Sequence, residues 1–210
     1  MPNKNGNAYG LTLLCPLLED TAEGSRATTI RDRLRELPLD ADSPFALVPN
    51  LYLCRMFVLD DVLFQGHPAS EDHLRSKYLV FVAEIHGELE PFLKGFWQHA
   101  EPSIRRLWDQ CIGFDAVSGT REFVQYIQRC QVETTFYFMG SNDLSPAEQL
   151  KGLYLKQELA KFARTHQGQD AASLQRAFRT FVERVEPFNL TRPSWRPGAA
   201  SLETAVVGER

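Results

Sequence analysis

The stretch LVFVAEIHGELEPFLKGFW, residues 79–97, sets a carboxylate, Glu84, two residues ahead of an imidazole, His86, just before Gly87. In a strand, side chains at i and i+2 share one face, so this spacing would hold an acid and a base side by side. Either group could then accept a proton from a substrate. With Arg55 to orient an anionic oxygen and Tyr137 to donate a hydrogen bond, the candidate catalytic set is Glu84, His86, Arg55 and Tyr137. The structural alternative is an exposed cross-strand ion pair between Arg55 and Glu84, with His86 marking the end of its strand. A metal site drawn from His67, His73 and His86 with Glu71 or Asp72 has no recognised ligand spacing, so no metal is expected.

The elements that must position these residues follow from hydrophobic periodicity. YGLTLLCPL, residues 9–17, is a short apolar run closed by proline and reads as a first strand. Residues 25–37 put Ala27, Ile30, Leu34 and Leu37 on one helical stripe, with arginines opposite. LYLCRMFVLDD, 51–61, and KYLVFVAEIHG, 77–87, read as the second and third strands. From Glu88 the period becomes helical through Leu89, Phe92, Leu93, Phe96 and Trp97. Pro102 opens a second helix and residues 120–130 form a third. QVETTFYFMG, 131–140, is β-branched and aromatic and reads as the last strand.

After this core comes SPAE, 145–148, with a capping serine, proline at the first helical position and glutamate at the third. It starts a helical arm over 144–185 that should pack on the domain or on a partner. The expected organisation is a flexible terminus over 1–8, an α+β domain over 9–143, that arm, and a disordered tail over 186–210 rich in proline and glycine. Residues 1–143 carry 13 Lys and Arg against 20 Asp and Glu, whereas 144–185 carry 7 against 4. An acidic body with a basic arm suits self-docking or a homodimer contact.

Whole-chain properties narrow the function classes. A length of 210 residues with 43% hydrophobic and 24% charged content is that of an ordinary globular protein. A net charge of −4 argues against general nucleic-acid binding, which needs a basic surface. No run approaches the roughly 20 apolar residues of a membrane span, and the first residues lack a signal-peptide core, so a cytoplasmic location is expected. Cys15, Cys54, Cys111 and Cys130 form no C-x-x-C pair and read as small buried apolar residues, with Cys111 the one to test for reactivity.

The order strand, helix, strand, strand, helices, strand is a ferredoxin-like, split βαβ arrangement with extra helices before the last strand. Alternation sends Leu79, Phe81, Ala83 and Ile85 under the helices and leaves Val80, Val82, Glu84 and His86 on the open face. Arg55 assigns Leu53 and Phe57 to that same face, because a guanidinium is costly to bury. In the last strand Val132, Thr134, Phe136 and Phe138 should point inward, with Glu133, Thr135, Tyr137 and Met139 outward. In this order Tyr137 stands farther from Glu84 than Arg55 does.

Together SPFALVPNLYLCRMFVLDD, LVFVAEIHGELEPFL, WDQCIGF and TTFYFMG resemble an uncharacterised bacterial family with a ferredoxin-like, dimeric α/β-barrel type of fold, over about residues 9–165. In that pattern a histidine often stands where Tyr52 and Gln110 are found here, so a haem or metal role resting on those histidines does not carry over. The wider group includes cofactor-independent monooxygenases and haem-degrading enzymes, which makes haem the cofactor to test. Leu53, Phe57, Val80, Val82 and Met139 form a face too apolar to leave in water. The expectation is an accessory or ligand-binding protein that holds an apolar small molecule there. The alternatives are an oxidoreductase or monooxygenase using Glu84 or His86, and a structural component of a larger assembly.

Overall fold

A computed structural model describes residues 3–22, 24–62, 66–67, 73–140, 143–199 and 206–207. It has an α+β architecture with one four-stranded antiparallel sheet and, among the described residues, five α-helices. Two units divide the chain: residues 1–38 with 47–143, and residues 39–46 with 144–210.

In the first unit the strands are β1 (Lys4–Asn5), β2 (Ala8–Pro16), β3 (Leu51–Leu59) and β4 (Tyr78–His86), in the order β1-β2-β4-β3. The central strand β4 is apolar at nearly every position, as a strand with neighbours on both edges should be. Helices α1 (Arg26–Arg35), α2 (Leu89–Trp108) and α3 (Thr120–Cys130) cover one face of the sheet. There Phe81 stacks on Phe96 with centroids 5.7 Å apart, and Trp108 and Phe123 meet Phe96 edge-on. Each of these rings is fully buried, which stabilises the fold by about 2–3 kcal/mol apiece from apolar transfer. Helix α2 continues across a kink at Ala100 (φ −130°, ψ 16°), two residues before Pro102, where the sequence pattern began a separate helix.

Strand β3 pairs with β4 with a register shift between Leu51 and Leu53. Leu51 lies opposite Ile85 and Leu53 opposite Glu84, so Tyr52 is an inserted residue, a β-bulge.

The terminus expected to be flexible is built into the sheet instead. Lys4 and Asn5 pair with Tyr9 and Ala8, Gly10 N–H donates to Asn3 O at 2.9 Å, and Asn7 donates to both oxygens of Asp143. This hairpin explains the largest departure from the sequence reading. Residues 131–140 are not a fourth full strand: they make one isolated bridge, Gln131 to Leu13, with Val132 N–H donating to Thr12 O at 2.9 Å. Beyond that point the edge of β2 is already taken by Asn3, and Thr134 N–H bonds the Asn3 side chain at 3.0 Å. The segment therefore leaves the edge. Phe136 and Phe138, expected to point inward, are 80% and 70% exposed, and Val132 is exposed too.

The second unit has a core of its own. Helix α4 (Pro146–Thr165) opens with the capping box read from sequence, and α5 (Ala171–Val185) is capped by Asp170. Tyr154, Phe181 and Val185 are buried between them, with Phe162, Val182 and Trp195 packed around. Residues 186–199 are ordered where a disordered tail was expected. Lys151 Nζ donates to Val185 O and Pro193 O at 2.7 and 2.6 Å, and β5 (Ser194–Trp195) pairs with β6 (Val206–Val207). The remainder of that tail, 200–205 and 208–210, lies outside the described residues. No helix among the described residues is long and apolar enough to cross a membrane.

Candidate functional site

The face of the sheet away from α1–α3 is defined by strand pairing. Gly10 lies opposite Glu84, Thr12 opposite Val82, Leu14 opposite Val80, and on the other side Leu53 opposite Glu84, Arg55 opposite Val82 and Phe57 opposite Val80. Residues directly opposite in an antiparallel pair share a face. Arg55 and Glu84 thus stand on the same side, as diagonal neighbours.

They are not joined. Glu84 Oε2 accepts from Tyr137 Oη at 2.5 Å, whereas Arg55 is exposed and has no ion-pair partner among the described residues. The expected Arg55–Glu84 ion pair is replaced by a Tyr137–Glu84 couple, and Tyr137, expected farther off, is the residue in contact. Two features produce this. Segment 131–140 leaves the β2 edge at Thr134, and Gly10 offers no side chain on this face. A Cβ at Gly10 would meet the Tyr137 ring carbons Cδ2 and Cε2 at 3.0 Å, tight enough that the ring would have to shift. A glycine inside a strand marks such a close approach.

Beside this couple is a second. Tyr52 Oη and His86 Nδ1 are 2.7 Å apart, with the rings edge-on at 5.9 Å. Tyr52 reaches His86 because the bulge inserts it between the two faces of β3; ordinary alternation would group it with Cys54 and Met56. His86 N–H also donates to Asn50 O at 2.8 Å, and Asn50 adopts a left-handed φ of 63° at the turn into β3. The strand end that carries His86 is therefore held from both backbone and side chain.

Burial raises the pKa of the Tyr137 phenol, and its hydrogen bond to the Glu84 carboxylate and that negative charge raise it further, with Tyr52 adding to the effect. Tyr137 is accordingly a neutral donor at ordinary pH. The arrangement can hold one oxygen of a carboxylate and one nitrogen of an imidazole in fixed hydrogen bonds. The guanidinium between Leu53 and Phe57 is left facing outward.

Of the expected apolar lining, Val80 is buried, Val82 and Met139 are half-buried, and Leu53 and Phe57 are 54% and 44% exposed. The metal alternative finds no support: His73 Nδ1 is bonded to Asp61 and His86 to Tyr52. Among the described residues no group of three ligand side chains could hold an ion. Glu71 and Asp72 lie outside the described residues. Haem needs an axial ligand in a slot walled on two sides. Here His86 Nδ1 is taken by Tyr52, Gln110 Oε1 accepts from Arg26 at 2.7 Å, and the sheet face is open at Leu53 and Phe57. These residues do not form a haem slot.

Sequence reasoning missed Tyr52, Gly10 and Cys130. Only Gly10 carried a usable signal, as a glycine within an apolar strand. No protein-family model, curated protein or solved structure matches this chain.

Proposed function

We propose that the first unit is a ferredoxin-like sheet whose fourth strand is reduced to a single bridge, and that its open face binds an apolar small molecule bearing an anionic group. Two things support the topology. The strand order β2-β4-β3 has a helix between β2 and β3, and Gln131 lies against β2 on the edge a fourth strand would occupy. One observation carries the ligand: Arg55 stands unpaired between the exposed apolar side chains Leu53 and Phe57, beside Val80 and Val82. An apolar body would remove those side chains from water, and its anion would meet the guanidinium. Tyr52, His86, Glu84 and Tyr137 close one end of the face with polar groups that fix orientation.

The test is a fluorescence titration with anilinonaphthalene sulfonate, an apolar anion. Saturable binding is expected. Phe57→Glu and Val82→Glu should abolish it with the far-ultraviolet circular dichroism unchanged, and Arg55→Gln should weaken it while sparing a neutral apolar dye. Binding that survives both glutamate substitutions would refute the placement.

A second reading, a homodimer that covers this face, is favoured by β3 being an edge strand of nine residues with Leu53 and Phe57 exposed. Sedimentation equilibrium separates the two readings: a dimer dissociated by Phe57→Glu supports the cover, and a monomer that binds the dye supports the ligand.

A further inference from the structure

Three of the four cysteines, far apart in sequence, converge on the covered face of the sheet. Cys15 is on β2, fully buried, and its sulfur accepts from Trp108 Nε1 at 3.3 Å. The chain just after α2 runs alongside the end of that strand: Leu18 N–H donates to Gln110 O, Ile112 N–H donates to Pro16 O, and Cys111 bridges Leu17. Cys130 is the last residue of α3, and the next residue, Gln131, bridges Leu13. Backbone pairing thus fixes Cys111 and Cys130 near Cys15.

A fourth side chain completes the group. Tyr126 lies one helical turn before Cys130, so the two share a side of α3. Its hydroxyl is buried and makes no hydrogen bond of ordinary geometry, and the polar groups acting on it are Cys15, Cys111 and Cys130. A buried hydroxyl costs free energy unless it finds an acceptor, and a thiolate is one.

The three sulfurs differ in exposure and in charge preference. Cys15 and Cys111 are buried, whereas Cys130 is half-buried. The Cys15 thiol hydrogen-bonds Cys130, which raises Cys15 strongly and lowers Cys130, to about 7. The Tyr126 hydroxyl and the positive charge of Arg129 lower Cys130 further, against its burial. Burial pushes Cys111 up to about 12 and Cys54 up to about 11. Negative charge therefore settles on the sulfur nearest water.

We propose that Cys130 and Cys15 are a peroxide-responsive thiol pair, with Cys130 the attacking sulfur and Cys15 the resolving one. In the first step the Cys130 thiolate attacks one peroxide oxygen. An S–O bond forms, the O–O bond breaks, and the departing hydroxide takes a proton to become water, leaving Cys130 as a sulfenic acid. In the second step the Cys15 sulfur displaces that hydroxyl. The S–S bond forms, the S–O bond breaks, and the hydroxide leaves as water with the Cys15 proton. The two thiols are oxidised by two electrons in all, and one peroxide is reduced to two waters. Tyr126 is a positioning residue that donates to the Cys130 sulfur. A small dithiol reverses the change by exchange.

The experiment uses the full chain. At pH 7 about half of Cys130 is thiolate against on the order of one part in ten thousand of Cys54; allowing for the weaker nucleophilicity of the lower-pKa sulfur leaves roughly fiftyfold faster alkylation of Cys130 by N-ethylmaleimide in the native protein. Stoichiometric hydrogen peroxide followed by denaturing alkylation should link the tryptic peptides 5–26 and 130–151. Cys15→Ala should leave a Cys130 sulfenic acid that dimedone traps, and Cys111→Ala should leave the link intact. Alkylation of Cys130 no faster than of Cys54, no link after peroxide, or a link from Cys130 to Cys111 would each overturn the proposal. The first two readings use the unmutated protein and do not depend on a variant that folds.

Discussion

The Tyr137–Glu84 couple can be measured directly by a double-mutant cycle of Tyr137→Phe and Glu84→Ala. At 2.5 Å this is a short O–H···O⁻ bond. A hydrogen bond to a charged group contributes about 1.5–3 kcal/mol where water is excluded. Both side chains are half-buried, so solvent competes, and about 1 kcal/mol of coupling is the reasoned value. At this chain length each kcal/mol shifts Tm by about 2–4 °C. The raised pKa of Tyr137 sets the sign of the pH dependence. Its contribution is intact below the unfolded tyrosine value, about 10, and is lost as pH rises through the folded value. The cycle at pH 7 therefore reports the full coupling. Denaturant midpoints of the four proteins supply the measurement. Effects that add to within about 0.3 kcal/mol would mean that the two side chains do not interact, and the account of the site would fail. A spectrophotometric titration adds a second reading. Glu84→Ala should bring the Tyr137 pKa down and leave it above the ordinary value, because burial is the larger cause.

Phe96→Ala, which removes the ring that touches Phe81, Phe92, Trp108 and Phe123, should cost about 3–5 kcal/mol by chemical denaturation. Ser145→Ala removes the acceptor for Glu148 N–H and half of the capping box of α4, at a cost of about 1 kcal/mol in the denaturation of the second unit. Glu158 is buried, which raises its pKa, but its hydrogen bonds to Lys161 and Arg184 outweigh this and hold it below the ordinary value. Its stabilising effect is present above the unfolded glutamate pKa and is lost as pH falls through the folded one. Glu158→Gln should therefore flatten the acid limb of a stability-against-pH curve in that range.

Much of this fold is legible in the residues. Leu79, Phe81, Ala83 and Ile85 alternate cleanly because β4 has a helix layer on one side, and the apolar stripes of α1–α3 repeat every 3.6 residues because one face of each is buried. The Ser145 cap is local chemistry and was read as such. Placing Arg55 and Glu84 on one face required only that a guanidinium avoid the core. What the residues concealed was competition between segments. QVETTFYFMG has every property of a strand, but Asn3 and Asn5 reach the same edge of β2 from the terminus, and composition does not decide which segment wins. Tyr52 was hidden for a related reason, since no residue type announces that one position in β3 will go unpaired. The thiol cluster was invisible because its members come from three elements whose contact exists only in the folded chain.

The bulge at Tyr52 has a consequence for which changes of length this unit can tolerate. Every position of β3 after it owes its side to that one surplus residue. Removing a single residue anywhere between the Asn50 turn and Leu53 would rotate the rest of the strand by half a period. Cys54, Met56 and Val58 would swing into solvent, and Arg55 would be driven beneath α1 and α2, where a guanidinium without a counter-charge is costly. Substitutions along β3 adjust the surface of this unit, but a one-residue deletion there turns it inside out.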